Sequence, residues 1–485
     1  MYNLGDVSET VQQFVRDVGA YSIAGIAPAI FSVIALTVFT RLFSPSAFGR
    51  YSIAISVGGI GSTLLFGWLN KSIIRFGSKV DERELIGTAF AVVIGISLCL
   101  VAVAGGVYAL IGNTLGPYQP FYAAALAFLL MQGAFQPIIA LFRATLNSKL
   151  VTVFMCIKAV SMLAFSVFIV LFVYNHISGW IWGNVIAIAI SILTVAALSD
   201  LLRTVPQINR DMLVRMAGYG LPLIGWIMGD PLLNQADRFL IEFLRGSATV
   251  GIYTSNYSLA DRGLRLAMIP LLDAIQPIVI DRWNGDNQER IEELLNQFTK
   301  YFLVLAVPAL VLLGAFSRPL STLLLGKAYH EGYVVIPIVG AGVFMWSLGN
   351  LGQIGLEIRE RTALMSRGLI AAVVFNILVN IPLIMSFGYV GAAFGTLLSY
   401  SAYAAFVFWY SRDRIVWHLP TETIGNVLLA GTAMAALPAL LYVSDWYTHG
   451  LVVVAGVVST VVYVAILYVS GEITDENITR IRELT

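Results

Sequence analysis

Along the chain, apolar runs of about 20 residues alternate with short polar breaks, and that run length carries a helix across a hydrocarbon core. The pattern predicts fourteen membrane-spanning helices, near 18–39, 51–70, 85–110, 119–141, 151–174, 179–199, 216–236, 248–280, 298–316, 332–356, 364–386, 389–410, 423–443 and 450–470. Runs 216–236 and 248–280 are the most polar of the set. The expected fold class is therefore an all-α polytopic membrane protein.

Composition agrees. Of the 485 residues 58% are apolar and only 12% charged, whereas a soluble domain carries about 25% charge. Cytoplasmic loops collect lysine and arginine. With the N-terminus inside, twenty of the 29 cations fall in cytoplasmic segments, six in external loops and three within spans. Both termini are thus expected in the cytoplasm of a multi-pass cell-membrane protein. Residues 1–17 are polar and end in "VRDVG", so no cleavable signal peptide is expected. Scattered cations without a basic stripe argue against a nucleic-acid partner. Cys99 and Cys156 lie inside apolar runs and read as small buried hydrophobes. His176, His330, His418 and His449 are too far apart to suggest a metal site. The breaks are too short for a catalytic domain. A glycan polymerase or ligase is disfavoured on that ground, and no enzyme activity is expected.

The two halves of the chain resemble each other. "TRLFSPSAFGRYSIAIS" (40–56) aligns with "EFLRGSATVGIYTSNYS" (242–258) at an offset of 202, pairing Gly49 with Gly251, Tyr51 with Tyr253 and Ser56 with Ser258. "SGWIWGN" (178–184) corresponds loosely to "GYVGAAFGT" (388–396). Six spans fit within one repeat, so both copies keep the same orientation. This predicts two six-helix bundles related by a pseudo-twofold axis along the membrane normal. The expected organisation is a tail at 1–17, a lobe at 18–200, a linker at 201–215, a second lobe at 216–410, two extra helices over 423–470 and a tail at 471–485.

The stretch "SNYSLADRGLRLAMIPLLDAIQPIV" (255–279) holds Asp261, Arg262, Arg265 and Asp273 inside a predicted span. On a helix these four, with Ser258 and Gln276, share one face about 120° wide, and Leu264, Ala267, Leu271, Ala274 and Ile278 lie outside it. An Arg or Asp in lipid costs at least about 2.5–3.5 kcal/mol, so that face should border protein or water. Either Asp261 and Arg265 form an internal ion pair, or the surplus cation binds an anion. Lys158 is the sharper candidate, lying within a span with no acidic residue for forty positions on either side. Arg41, Arg75 and Arg143 sit at span ends, where snorkelling is ordinary. Asn376, Asn380 and Gln353 lie within spans and either join helices by hydrogen bonds or meet sugar hydroxyls. Asp230, Asp261 and Asp273 are candidates for binding a coupling Na⁺ or proton; no other cofactor is expected.

"FTRLFSPSAFGRYSIAIS", "IIRFG" and "ADRFLIEFLRGSATVGIYTSNYSLA", with fourteen spans and a six-plus-six repeat, resemble the polysaccharide transporter family. That family belongs to the multidrug/oligosaccharidyl-lipid/polysaccharide exporter superfamily. The resemblance implies a V-shaped, two-lobed flippase that alternates access for a polyprenyl (pyro)phosphate-linked oligosaccharide. It implies a monomer in membrane lipid, serving the glycosyltransferases and polymerase of one pathway. Ala260, Asp261 and Arg262 match an "ADR" run whose arginine lies in the cavity of the related lipid II flippases. The repeat-related position here is near Ile60, which argues against lipid II and leaves Arg75 or Lys158 for a second phosphate contact. A multidrug or cation antiporter of the same superfamily is the alternative. It is disfavoured because cations match or exceed anions within the spans.

Overall fold

The computed structural model describes residues 28–77, 80–144, 148–198, 205–283, 288–359, 361–411, 419–443 and 449–473. Among these residues the regular structure is helical throughout, with no strand. In chain order the helices are α1 (Pro28–Leu42), α2 (Pro45–Phe76), α3 (Glu82–Ile111), α4 (Gln119–Ala144), α5 (Ser148–Phe168), α6 (Ser178–Leu198), α7 (Arg210–Gly220) and α8 (Ile224–Arg245). They continue as α9 (Ser247–Trp283), α10 (Gln288–Ala315), α11 (Ser317–Leu324), α12 (Val335–Ile358), α13 (Thr362–Ser411), α14 (Thr421–Val443) and α15 (His449–Val469).

Every predicted run is helical where it is described, apart from Tyr174, Phe316 and Ser470 at run ends. Among the described residues, eleven helices are long and apolar enough to cross a membrane. The other three runs are the one containing α1, α9 itself and the second arm of α13. Local chemistry sets the starts. Ser44 caps α2 ahead of Pro45, the Asp81 carboxylate accepts from the Arg83 amide at 2.8 Å, and Asn209 accepts from the Met212 amide at 3.1 Å. The polar run at 216–236 is a bent element, α7 and α8 joined by a 3₁₀ turn at Leu221–Leu223 containing Pro222. The break after α10, read from sequence as a loop, folds into α11 and a 3₁₀ segment at Lys327–Val334.

Contacts divide the described chain into two compact units, one from Ile26 to Thr254 and one from Ser255 onward. The division falls inside α9, past the expected linker at 201–215, because α7 and α8 pack on α2. Residues 205–209 are themselves pinned to α3. The Gln207 amide donates to Gly87 O at 3.2 Å, and Asn209 Nδ2 donates to Glu84 Oε1 at 2.8 Å.

In the first unit, the starts of α2 and α9 cross without side chains between them. A β-carbon at Gly49 would overlap the Ser247 carbonyl, and one at Gly251 would overlap the Pro45 carbonyl. The repeat offset carries Pro45 onto Ser247 and Gly49 onto Gly251. At these four positions the contact is reciprocal.

In the second unit, α13 turns back on itself at Gly388, whose φ of 59° suits glycine. Small residues set the approach of its two arms. β-carbons at Gly391 and Gly395 would overlap the Leu383 carbonyl and the Asn380 side chain, and Asn376 Nδ2 donates to Ser399 Oγ at 3.1 Å. The pair α14–α15 docks on α10 through Val427, Ala430, Met434, Tyr463 and Leu467 against Val304, Val307 and Val311. Beside this seam Glu472, 6% exposed, is held by Lys300 Nζ at 2.7 Å, Asn426 Nδ2 at 2.9 Å and Thr423 Oγ1 at 3.1 Å. Cys99 and Cys156, expected to be buried, are exposed and half-exposed free thiols. Cys99 lies on the apolar outer surface of α3, where a small hydrophobe faces hydrocarbon at no cost.

Two outcomes are expected in thermal melts of the detergent-solubilised protein. Gly49→Ala and Gly251→Ala each destabilise by about 1–3 kcal/mol through overpacking, and by similar amounts because the contacts are reciprocal. Burial alone pushes the Glu472 carboxyl up, but hydrogen bonds from Lys300 and Asn426, the Lys300 charge and Thr423 bring it below the ordinary carboxylate value. Its stabilisation is therefore present above the unfolded pKa and lost as pH falls through the lower folded one. Glu472→Gln removes that acid sensitivity and costs about 1–2 kcal/mol at neutral pH.

Candidate functional site

α9 places Asp261 and Arg265 one turn apart, and Arg265 Nε meets Asp261 Oδ1 at 2.7 Å. Arg265 therefore carries its own counter-ion. Arg262, next on the same face, is half-buried. The Asp273 side chain lies outside those described. Around the pair in the second unit runs a buried column of aromatic side chains. Tyr257 Oη lies 3.4 Å from Tyr400 Oη, and Trp346 sits 5.2 Å from the Tyr400 ring and 5.0 Å from the Tyr403 ring. Tyr403 donates to Gln353 Oε1 at 2.6 Å, and Gln353 Nε2 donates to Glu357 at 2.7 Å. Gln353 thus sits between Tyr403 and Glu357 in a fixed network, and Asn376 is fully buried between the arms of α13. The neighbouring Asn380 is equally buried, and its amide finds no hydrogen-bond partner among the described residues.

Lys158 differs from these. α5 directs its ammonium toward α4, where Gln132 Oε1 accepts at 3.2 Å and the Phe135 ring centroid lies 4.8 Å away. No carboxylate pairs with it among the described residues. One amide oxygen and a ring quadrupole leave ammonium donors without an acceptor. A cation held in the interior of a span without a counter-ion is the arrangement that an incoming anion completes.

The remaining candidates separate by position. Arg41 and Arg143 are exposed at the ends of α1 and α4. Arg75, exposed in the last turn of α2, lies with Cζ 5.8 Å from the Tyr219 ring centroid. Asp230 is exposed on α8 and accepts from Asn234 Nδ2 at 2.9 Å. The structure thus brings Asp261 and Arg265 together and leaves Lys158 among residues of α4 and α5.

Sequence reasoning missed a buried polar knot. Asp237 and Arg238 read as lying past the end of a span, yet α8 continues to Arg245 and Asp237 is fully buried. Its carboxylate accepts from the Tyr253 hydroxyl and the Arg238 amide, and Arg238 Nη1 donates to Ser56 at 3.2 Å. Tyr253 and Ser56 belong to the aligned repeat segments, which was the one available signal.

Five likenesses to known proteins accompany this geometry. The model of a family described as "Polysaccharide biosynthesis protein" matches residues 38–334. The probable low-salt glycan biosynthesis flippase Agl15 of Haloferax volcanii is 27% identical over 165 residues, 31% of this chain and 34% of that protein. An uncharacterized membrane protein of Methanocaldococcus jannaschii is 19% identical over 237 residues, 49% of this chain and 46% of that protein. These matches thus span between a third and a half of the relatives' lengths. Among solved structures, the lipid II flippase MurJ in an inward closed conformation superposes with a TM-score of 0.73 at 14% identity, covering 92% of this chain and 97% of that one. An inward-facing multidrug resistance MATE transporter gives 0.56 at 14% identity, covering 84% and 94%. At such identities the likeness is one of fold.

Two substitutions separate the paired charges from the unpaired one. Lys158→Met raises the melting temperature, worth about 1–3 kcal/mol, because it removes a cation that has no counter-ion among the described residues. Asp261→Asn lowers it, by only about 1 kcal/mol because Arg265 is 39% exposed.

Proposed function

Because the chain belongs to the polysaccharide biosynthesis protein family, we propose that it is a flippase for a polyprenyl (pyro)phosphate-linked oligosaccharide, working by alternating access. The observation that carries this reading is Lys158, a cation inside a span with no carboxylate partner among the described residues. A phospho-sugar headgroup is anionic and rich in hydroxyls, and hydrocarbon excludes it. A fixed ammonium offers its phosphate a charge-assisted hydrogen bond and is itself relieved by the visit. Gln132, already oriented by Lys158, adds an amide suited to hydroxyls or phosphate oxygens. Moving a lipid between leaflets requires no covalent step, in keeping with a chain whose polar breaks are short. The fold shared with a lipid II flippase and with multidrug exporters supports a transporter. An exporter of cationic drugs would be served by a free carboxylate in the same setting, and Asp261 is instead engaged by Arg265.

The reading is tested in a deletion strain. Lipid-linked oligosaccharide is expected to accumulate on the cytoplasmic leaflet, and the surface glycan made from it to disappear. Lys158→Gln should behave like the deletion at undiminished protein level, while Lys158→Arg retains export. Normal surface glycan in the Lys158→Gln strain would remove the physical basis of the proposal.

A further inference from the structure

Where α5 ends, the chain leaves α-helical geometry. Ile169–Val173 form a π-helical turn, closed by the Tyr174 amide on Ile169 O at 2.7 Å. Such turns are rare and recur at functional sites. Just before it, α5 and α6 meet backbone to backbone. A β-carbon at Gly183 would overlap the Ser166 backbone, and Ser166 Oγ donates to Trp180 O at 3.2 Å. Beside that crossing the larger side chains stand apart. Phe165, Phe168 and Ile169 on one wall and Trp182 and Ile186 on the other bound a groove of about 460 Å³, with Tyr174 at its end. That volume falls within the roughly 300–1,000 Å³ of small-molecule sites. Phe168 is 52% exposed, so one wall is open to the surroundings.

The groove shares a helix face with Lys158. Phe165 and Ile169, seven and eleven residues further along, fall within about 20° of Lys158 around α5, and about 10 and 16 Å along its axis. Met162 stands between, one turn beyond Lys158 and about 40° round. A cation and an apolar trough on one face match a molecule whose anion is joined directly to a hydrocarbon chain. A polyprenyl phosphate is hydrocarbon from the first atom past its phosphate ester. A phospholipid would have to lay its glycerol esters on Met162.

We propose that the groove between α5 and α6 binds the isoprenoid chain of a polyprenyl phosphate whose phosphate rests on Lys158. The charge-assisted hydrogen bond to Lys158 supplies most of the affinity. The groove adds close packing against rings and fixes the direction of the chain. With the N-terminus in the cytoplasm, as the distribution of lysine and arginine predicts, α5 runs outward and the groove lies on the exterior side of Lys158. A chain running outward from its phosphate has the orientation of a lipid in the cytoplasmic leaflet. The site therefore holds cargo as it arrives, before it turns over. The proposal rests on the flippase reading for its purpose and on the geometry of α5 for its ligand.

The test uses the full chain in phosphatidylcholine nanodiscs and a geranylgeranyl phosphate carrying a diazirine on its chain, with crosslinks mapped by mass spectrometry. Label is expected on Phe165, Phe168 and Trp182, removed by excess unlabelled geranylgeranyl phosphate and retained in excess phosphatidylglycerol. Lys158→Gln should lower it about tenfold. Phe168→Ala, which removes part of one wall, and Ile186→Trp, which narrows the groove from α6, should each lower it severalfold; melting curves confirm that the variants are folded. Label spread evenly over the outward faces of α3 and α15 as well would assign the groove to bulk lipid and overturn the proposal. Displacement by phosphatidylglycerol would do the same, by making the occupant an ordinary phospholipid. Label unchanged by Lys158→Gln would also overturn it, because cation and groove would then not hold one molecule. The two readings fail separately. Absence of label from the groove leaves the export defect of Lys158→Gln untouched, and normal export in Lys158→Gln leaves Lys158-dependent label standing.

Discussion

Hydrocarbon offers no partner to a polar group, so a chain that crosses it many times must supply each partner from within. Helices do this for the backbone, and side chains follow the same rule. Thr40, Ser52 and Ser191 each return a hydroxyl proton to the carbonyl four residues back, at 2.8, 2.9 and 2.8 Å. Arg265 carries its carboxylate one turn away on the same helix, and Asp237 draws on Tyr253 from the next helix. Glu472 is closed by three donors at the foot of α14 and α15. Asn380 departs from this accounting among the buried amides, and Lys158 departs from it as a charge, with an amide and a ring where a carboxylate belongs.

The same solvent removes the hydrophobic drive between helices, so association rests on close packing and interhelical hydrogen bonds. That explains why small residues mark the tightest contacts, at Gly49 with Gly251 and along Gly391, Gly395 and Ser399. The first pair carries an additional meaning, because the sequence repeat and the spatial contact select the same positions. Glycine there is dictated by the opposing carbonyl.

Much of this was legible beforehand. Run length located all fourteen helical stretches, since a span is defined by apolar length and needs no partner to be recognised. The Asp261–Arg265 pair was legible because four residues on one helix fix the geometry, and Asn376 was legible as interhelical glue. What escaped notice depends on chain segments brought together from afar. Nothing in "LNKSIIRF" shows that Tyr219 and Trp226 will lie beside Arg75 and Lys71. Asp237 was misplaced because a polar residue near a span end resembles the end itself, and only Tyr253 and Ser56 explain how α8 buries it. The division of the units inside α9 likewise follows from packing of α7 and α8 on α2, which no composition shift announces.

In the proposed reading, an anionic passenger is matched by an ammonium between α4 and α5 that no carboxylate neutralises among the described residues. The central claim is that phosphate completes what Lys158 lacks. An experimental structure of the protein with a polyprenyl-phosphate sugar bound in mid-membrane tests it most directly. The account predicts phosphate oxygen density about 3 Å from Lys158 Nζ. A bound phosphate elsewhere, with Lys158 still resting on Gln132 and Phe135, would contradict it.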